Sequence, residues 1–237
     1  GREFSTRLCR EALLAMSTSR AAVPRRTASK EQRQLQLIEA TIRCIARHGL
    51  SDTTIALVAR EAGLSQGIIN LHFQSKEKLL LATLEYVVDE YKAIWERVLA
   101  EAGPSSAERL AALAGVDFHR SVCERDKLAV WFAFWSESKA RPTYRKLCAD
   151  RDRGYDREMA RLCAELVEEG GYSVDPRLAA DGLAALTEGL WLDMLVNTRV
   201  MSREQAKRTS RCYLAHLFPR HFGDQAINPP DEQRQSA

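Results

Sequence analysis

The sequence predicts an all-α protein, and three observations support this fold class. Hydrophobic residues recur at the three- and four-residue spacing of helices from Ser29 to about residue 217. No stretch sustains the alternating pattern of a strand, and no Asn-Gly pair marks a hairpin. Helix-start signals recur along the chain, among them Ser75, Asp175 followed by Pro176, and Ser202. We therefore predict about nine helices.

The bulk composition narrows the class of protein. The chain has 237 residues, of which 45% are hydrophobic, and this suffices for one or two domains with real cores. Its net charge of +3 is uneven, because residues 17–78 hold ten Lys/Arg against five Asp/Glu. Such a basic segment favours binding to a polyanion. The six cysteines lack metal-ligand spacing, and no apolar run reaches the length of a membrane span. We expect a cytoplasmic protein with no disulfide, metal, cofactor or membrane segment.

The N-terminal part is predicted to contain four helices in close succession. Ser29, Thr53 and Ser65 are the candidate caps of the first three, because a hydroxyl can accept hydrogen bonds from the free amides of a helix start. Gly49 and Gly63 end the first two helices. The four helices are predicted at about 30–48, 54–61, 66–72 and 76–101.

The second and third helices are short and are joined by Ala-Gly-Leu-Ser, which is the spacing of a helix-turn-helix. In this motif the second helix lies in the major groove of DNA, with its N-terminal residues at the base edges. Ile69 and Phe73, four residues apart, are expected to anchor that helix to the core. Gln66 and Asn70 would then share its outward face, where amide groups can pair with adenine edges.

The polar residues around this motif have two interpretations. Gly67 would let the backbone approach a phosphate, and Thr54, His72 and Lys76 stand where polar groups can hold phosphates. Alternatively, the segment is a capped helical hairpin whose polar side chains are simply solvated. The residue pattern alone leaves both interpretations open.

The stretch DTTIALVAREAGLSQGIINLHFQSKEKLLLATL, residues 52–84, resembles the DNA-binding domain of TetR-family transcriptional repressors. The similarity lies in the paired threonines, the Ala-Gly-x-Ser turn, the glycine of the third helix and the Phe-x-x-Lys-x-x-Leu entry into the fourth. It implies binding to a palindromic operator. The family usually has a tyrosine one or three residues before the phenylalanine, so the resemblance assigns that phosphate contact to His72. The predicted DNA-binding residues are Thr53, Thr54, Ser65, Gln66, Gly67, Asn70, His72 and Lys76.

Two later stretches resemble the C-terminal helices of BetI-type repressors, a TetR subfamily that controls glycine betaine synthesis from choline. They are KLAVWFAFWSESKARPTYRKL, residues 127–147, and DGLAALTEGLWLDMLV, residues 181–196. The resemblance extends over about residues 30–218. It implies a small-molecule effector, choline or another quaternary ammonium.

Aromatic side chains at helical spacing are typical of a packed core, but several tryptophans can also form a box around a quaternary ammonium. Each ring of such a box contributes about 0.5–2 kcal/mol by cation–π attraction. A carboxylate among Asp117, Glu137, Glu188 and Asp193 would add charge complementarity. The predicted ligand-binding residues are Trp95, Trp131, Phe134, Trp135, Glu188 and Trp191.

Four segments follow from these patterns. Residues 1–29 combine a vector-like stretch, GREFSTRLCREALLA, with a flexible basic arm. Residues 30–78 form the predicted DNA-binding domain, and residues 79–220 the ligand-binding and dimerisation domain. The polar tail 221–237 is predicted to be disordered. In the family resemblance, the helices at about 176–198 and 203–217 pair with their copies in a homodimer.

Three competing functions remain. The first is a TetR-type repressor that senses an unrelated apolar or aromatic compound. The second is a small helical enzyme, which the sequence argues against because it lacks a nucleophile–base set, a phosphate-binding glycine loop and metal spacing. The third is an architectural DNA-binding protein, which would show strong salt dependence and little sequence preference. We predict a repressor with no catalytic residues.

Overall fold

The computed structural model describes residues 29–197 and 201–227, and in that part of the chain it is entirely helical, with no strand. This agrees with the predicted all-α class. The ten helices of the described residues are α1 Lys30–Asp52, α2 Ile55–Ala62, α3 Gln66–Phe73, α4 Lys76–Glu101, α5 Ser106–Val116, α6 Arg125–Glu137, α7 Pro142–Gly170, α8 Pro176–Val196, α9 Arg203–Leu217 and α10 Pro219–Ile227.

Local sequence signals explain most helix starts. The Ser29 hydroxyl accepts from the Gln32 amide while the Gln32 side chain accepts from the Ser29 amide, a complete capping box. Ser202 and Gln205 form the same reciprocal pair at the start of α9, as predicted. Asp175 caps α8 by accepting from two backbone amides ahead of a proline at the first helical position.

Helix α1 contains a break at Gly49, whose φ of 78° lies in the left-handed region that favours glycine. The regular part of the helix therefore ends where the sequence predicted, and a short turn continues to Asp52. Helix α5 ends at Val116, and the segment to Cys123 forms turns. Tertiary hydrogen bonds to Asp117, described below, hold that segment in place.

The predicted disordered tail begins too early. Helix α10 starts with a proline at its first position, directly after α9, and continues through Ile227. Phe218 and Phe222 are buried there, and Tyr172 packs edge-on against Phe218 at 5.4 Å between ring centroids. Apolar burial therefore extends the fold past the predicted end. Residues 228–237, the vector-like stretch and residues 16–28 of the basic arm lie outside the described residues.

The described chain forms two compact units. Unit 1 contains the residues up to Ile94 together with Glu124–Arg151, and unit 2 contains Trp95–Cys123 with the residues from Asp152 onward. In unit 1, α1 packs against α2, α3 and α6. In unit 2, α9 packs against α5, α8 and α10. The predicted domain boundary at residue 78 remains a prediction.

The cysteines behave as small hydrophobic residues. Cys44, Cys123, Cys148 and Cys163 are buried free thiols, whereas Cys212 is exposed. Burial raises the pKa of the Cys163 thiol to about 12, which keeps it protonated and unreactive. Within the described residues, no helix is both long and apolar enough to cross a bilayer.

Candidate nucleic-acid interface and effector site

The turn between α2 and α3 has the geometry expected of a helix-turn-helix. Gly63 adopts a φ of 65° and ends α2, with its amide donating to the carbonyls of Ala59 and Arg60. The Leu64 amide donates back to the Ala59 carbonyl at 2.9 Å. Because these bonds satisfy the last carbonyls of α2, the chain can reverse within three residues and start α3 at Gln66.

Helix α3 has one buried and one exposed face, as predicted. Ile69 is 0% exposed and Phe73 is 6% exposed, so these two side chains fix the helix to the core. Full burial of each contributes about 1.5–3 kcal/mol. Gln66 and Asn70 are exposed. Leu71, which the sequence did not single out, is 74% exposed on the same helix.

The predicted cap Thr53 is wrong, whereas Ser65 occupies the cap position of α3 as predicted but makes no capping hydrogen bond. The cap of α2 is Thr54, whose hydroxyl accepts from the Leu57 amide at 3.2 Å. Thr53 is 1% exposed and donates to the Gly49 carbonyl at 2.7 Å, so its side chain closes the turn after α1 and is not placed to meet a phosphate. Ser65 precedes α3 but makes no capping bond. The free first amides of α3 and the exposed Ser65 hydroxyl thus remain open to an anion.

The remaining predicted DNA-binding residues lie close by in the sequence with distinct surroundings. Gly67 is exposed, and a side chain there would meet only the Ser65 hydroxyl at 3.7 Å, so the fold itself does not require glycine. Lys76 donates to the Ser51 carbonyl at 3.1 Å and ties the start of α4 to the end of α1. His72 is half-buried, and its Nδ1 is buried without a hydrogen-bond partner in the described structure.

A cluster of charges that the sequence analysis missed stiffens the motif. The Glu61 carboxylate of α2 accepts from Arg43 at 2.6 Å and from Arg47 at 2.7 Å, both on α1. The hydrogen bond from Arg43 is the largest cause that lowers the pKa of Glu61. We call Glu61 with its two arginine partners the Glu61 clamp. The sequence signal that could have revealed it is the four-residue spacing of Arg43 and Arg47, which places both on one face of α1. The clamp fixes α2, and hence the turn that presents α3.

Unit 2 contains an assembly of aromatic rings around a buried carboxylate. Asp117 is 3% exposed, and its carboxylate accepts from the Tyr155 hydroxyl at 2.7 Å. The Asp117 carbonyl accepts from Trp191 Nε1 at 2.8 Å. The rings of Trp95 and Tyr155 pack edge-on, with 6.2 Å between their centroids. The Nε1 atom of Trp95 is buried without a hydrogen-bond partner among the described residues. We call Asp117, Tyr155, Trp191 and Trp95 the Asp117 assembly.

The predicted aromatic residues of α6 form a separate group in unit 1. Trp131 is 1% exposed. Its ring centroid lies 6.5 Å from that of Tyr91, which packs edge-on, and 6.1 Å from that of Trp135, which is tilted. Phe134 is fully buried and pairs with Tyr144 at 4.8 Å. Trp131 and Trp135 are therefore brought together, while Phe134 has the surroundings of a core residue.

Carboxylates were harder to assign from the sequence than rings. Glu188, the predicted ligand carboxylate, lies on the exposed face of α8. Asp117, which the sequence analysis named only as one of four nearby carboxylates, is the buried one. Its position after the end of α5 hid its role, because its partners Tyr155 and Trp191 lie 38 and 74 residues away. The part of the chain that the structure describes contains no group of three His, Cys, Asp or Glu suited to a metal.

Comparisons with known proteins agree with this geometry. Residues 37–83 match the tetR family of bacterial regulatory proteins, and residues 106–219 match the C-terminal domain of BetI-type transcriptional repressors. The HTH-type transcriptional regulator BetI of Burkholderia thailandensis is 39% identical over 166 residues, which cover 69% of this chain and 82% of that relative. The chain belongs to the TetR family, with a BetI-type C-terminal domain.

Further relatives extend this assignment. BetI of Serratia proteamaculans is 35% identical over 80% of this chain and 94% of its own length. A transcriptional regulator of Pseudomonas aeruginosa PAO1 superposes with a TM-score of 0.70 at 28% identity, over 82% of this chain and 96% of its own. A regulator of Saccharomonospora viridis, solved in complex with choline, superposes with a TM-score of 0.67 at 28% identity, over 77% of this chain and 95% of its own.

This TetR-type chain is therefore a DNA-binding transcriptional regulator, as the sequence predicted. The matched families and relatives are regulators rather than enzymes. TetR-type regulators bind DNA operators and small-molecule effectors and act as dimers. Of the two positions where the family resemblance leads us to expect a tyrosine, Asn70 is exposed on α3 and His72 is half-buried.

Proposed function

We propose that this regulator is a homodimeric repressor that binds a palindromic operator and is released by choline or another quaternary ammonium. The observation that carries the effector proposal is the Asp117 assembly, a buried carboxylate among aromatic rings. The choline complex of the Saccharomonospora viridis neighbour supports it. As a DNA-binding regulator, the protein would act in the cytoplasm.

The Asp117 assembly suits the chemistry of choline. A quaternary ammonium cannot donate hydrogen bonds, so a site selects it through ring faces and through opposite charge. Tyr155, Trp95 and Trp191 supply rings, and Asp117 supplies a negative charge at low exposure. Each ring would add about 0.5–2 kcal/mol. The unpartnered Trp95 Nε1 could donate to the hydroxyl of choline.

The aromatic group of α6 is a second proposed contributor to effector sensing. Trp131 and Trp135 contact each other, and Phe134 supports them from the core. Helix α6 packs directly against α1, the helix that holds the Glu61 clamp. A change at these rings would therefore reach the DNA-binding motif through packed side chains.

DNA binding is proposed to use the exposed side of α3. Gln66 and Asn70 would hydrogen-bond base edges, while the open first amides of α3, with Ser65, would hold a phosphate. Lys76 and the His72 ring would add phosphate contacts. The Thr53 side chain is buried and would make no contact with DNA.

The dimer is proposed to form through α8 and α9. Helix α8 exposes an apolar stripe at a spacing of three, four and seven residues: Leu178, Ala185, Gly189, Leu192 and Val196. An exposed apolar stripe on a long helix favours a partner surface, and a two-fold axis would pair the stripe with its own copy. Two linked recognition helices could then read two half-sites of the operator.

Release would follow from a shift between two conformations. Helix α4 is a single helix that contains both Lys76, next to the DNA-binding motif, and Trp95 of the Asp117 assembly. A ligand that binds more tightly to one conformation of α4 shifts the population towards it. A coupling of about 1–3 kcal/mol would change operator affinity roughly 5–150-fold.

The test is operator binding measured by fluorescence anisotropy on the DNA upstream of the gene. Choline should lower the affinity, whereas its uncharged carbon analogue 3,3-dimethylbutan-1-ol should not. The variant Asp117→Asn should bind the operator normally and need at least about tenfold more choline, since it keeps the shape but loses the charge. Glu137→Gln, which changes a carboxylate on α6, serves as the matched control.

The outcomes separate the parts of the proposal. If choline leaves operator affinity unchanged, choline is excluded as the effector while the repressor remains. If 3,3-dimethylbutan-1-ol is as effective as choline, the effector is an apolar compound and charge is irrelevant. If Asp117→Asn responds like the wild type, the effector binds elsewhere. If affinity is equal on unrelated DNA, sequence-specific repression itself is wrong.

A further inference from the structure

A cavity of about 290 Å³ lies in unit 2, between α5 and α9. This volume is close to the lower limit of small-molecule sites, about 300 Å³. Helix α9 contributes Lys207, Ser210, Arg211 and Leu214, whose spacing of three and four residues places them on one face. The cavity is separate from the carboxylate of the Asp117 assembly, which is not among its walls.

Most of the cavity wall is apolar. Phe118 and Leu214 are almost fully buried, and Phe222 of α10 is 4% exposed. Alanines and Gly115 form the α5 side, and a Cβ atom added at Gly115 would meet nothing within 4 Å. Gly115 thus leaves open space where most residues would fill it, and the walls suit a short hydrocarbon body.

Two cationic side chains and one buried hydroxyl line the α9 side of the cavity. Arg211 is exposed and makes no ion pair within the described part of the chain. Lys207 lies 3.4 Å from the Glu204 carboxylate, which Arg203 also contacts at 3.6 Å, so this end of α9 stays net positive. Ser210 is 3% exposed, and its hydroxyl is buried without a hydrogen-bond partner in the described structure. Leaving a buried hydroxyl without a partner is unfavourable, so a ligand acceptor at this place would be favoured.

We infer that this cavity binds an amphipathic monoanion, a small carboxylate with an apolar tail, as a second effector site. The net positive end of the cavity favours an anionic head group, with Lys207 and Arg211 at the carboxylate and Ser210 donating to it. The tail would lie along Leu214 and Phe222. Val116 and Phe118, the chain neighbours of Asp117, line the cavity. The cavity and the Asp117 assembly therefore share this short segment.

The experiment is isothermal titration calorimetry of octanoate into the full chain, with octanamide as the uncharged analogue. Octanoate should bind once per protomer, and octanamide at least about tenfold more weakly, because it lacks the charge. Gly115→Leu should fill the cavity and weaken octanoate at least about tenfold, while Gly115→Ala should have a smaller effect. Leucine and alanine both favour the helix over glycine, so neither change should unfold α5.

Charge variants test the other end of the ligand. The double variant Lys207→Met with Arg211→Met should weaken octanoate at least about tenfold, since two charged donors are lost. Arg208→Met, an exposed cation on the same helix outside the cavity, should stay within about twofold of the wild type. Ser210→Ala should weaken octanoate about fivefold without loss of thermal stability, because it removes a donor that has no partner in the protein.

Several results would overturn the inference. One is non-saturable octanoate binding; another is equal affinity for octanamide. A third is an unchanged affinity in Gly115→Leu or in the double variant, and a fourth is an equal loss in Arg208→Met. The assay contains neither operator nor choline, so its outcome is independent of the proposed repressor function. Repeating it in saturating choline should leave octanoate binding in place, because the two ligands occupy different sites.

Discussion

The hydroxyl of Tyr155 is the sharpest test of the Asp117 assembly. Tyr155→Phe removes one oxygen and keeps the ring. In the wild type that oxygen lies 2.7 Å from the Asp117 carboxylate and 3.1 Å from the Leu113 carbonyl, with both Tyr155 and Asp117 buried. A hydrogen bond to a charged group contributes about 1.5–3 kcal/mol, and we expect a loss of about this size in the free energy of unfolding.

Tyr213→Phe is the matched control for this variant. The Tyr213 hydroxyl donates to the Ala179 carbonyl at 3.2 Å, and the side chain is only half-buried. A bond to a neutral acceptor contributes about 0.5–1.5 kcal/mol, so this loss should be the smaller of the two. Urea unfolding followed by circular dichroism gives both values, with an unchanged slope against urea showing that the unfolded state is unaffected.

An equal or smaller loss of unfolding free energy in Tyr155→Phe than in Tyr213→Phe would refute this prediction. It would show that the hydrogen bond from Tyr155 to the Asp117 carboxylate does not stabilise the fold. A second readout concerns the effector. Because the Tyr155 ring remains, choline should still stabilise the variant against urea, and loss of all choline stabilisation would show that the hydroxyl contacts the ligand directly.

Three further predictions concern the DNA-binding motif. Thr54→Ala should cost about 1 kcal/mol of stability in urea unfolding because it removes the α2 cap, whereas Ser65→Ala should cost almost nothing and instead weaken operator binding. Glu61→Gln should lower stability at pH 7 by up to about 1 kcal/mol, because both arginine partners are partly exposed. Because the pKa of Glu61 is lowered in the folded protein, the stability that its carboxylate contributes is fully present above pH 4.5 and is lost as the pH falls through the folded pKa. The wild type and Glu61→Gln should therefore become equally stable in acid. A difference that stays constant with pH would contradict the clamp. Leu71→Ala should leave stability unchanged but reduce discrimination at one base position in a binding-site selection, through the loss of an apolar contact with a thymine methyl; a uniform loss across sequences would contradict this role.

The helix-turn-helix could be predicted closely because its signals are local. The glycine at position 63 and the four-residue spacing of Ile69 and Phe73 act over a few residues of chain. The errors in the motif concern a choice between neighbours. Thr53 and Thr54 are equivalent in sequence, and burial after the Gly49 turn decided that Thr54 caps α2.

The proposed effector site was only partly predictable, for a different reason. Tryptophans at helical spacing are visible in the sequence, but whether they pack as core or border a ligand depends on residues far along the chain. Asp117 became the central carboxylate because Tyr155 and Trp191 converge on it from α7 and α8. Glu188 has the same chemistry and lies on an exposed helix face.

The sequence by itself determined the helical class, the turn of the helix-turn-helix, and the face of α3 that meets solvent. These follow from periodicity and short-range hydrogen bonding, which act within a few residues. The tertiary structure alone decided which carboxylate is buried, which threonine is withdrawn from the surface, and that an open cavity remains beside Gly115. Each of these depends on packing between segments distant in the chain, where burial and unpaired polar groups have their largest energetic effect.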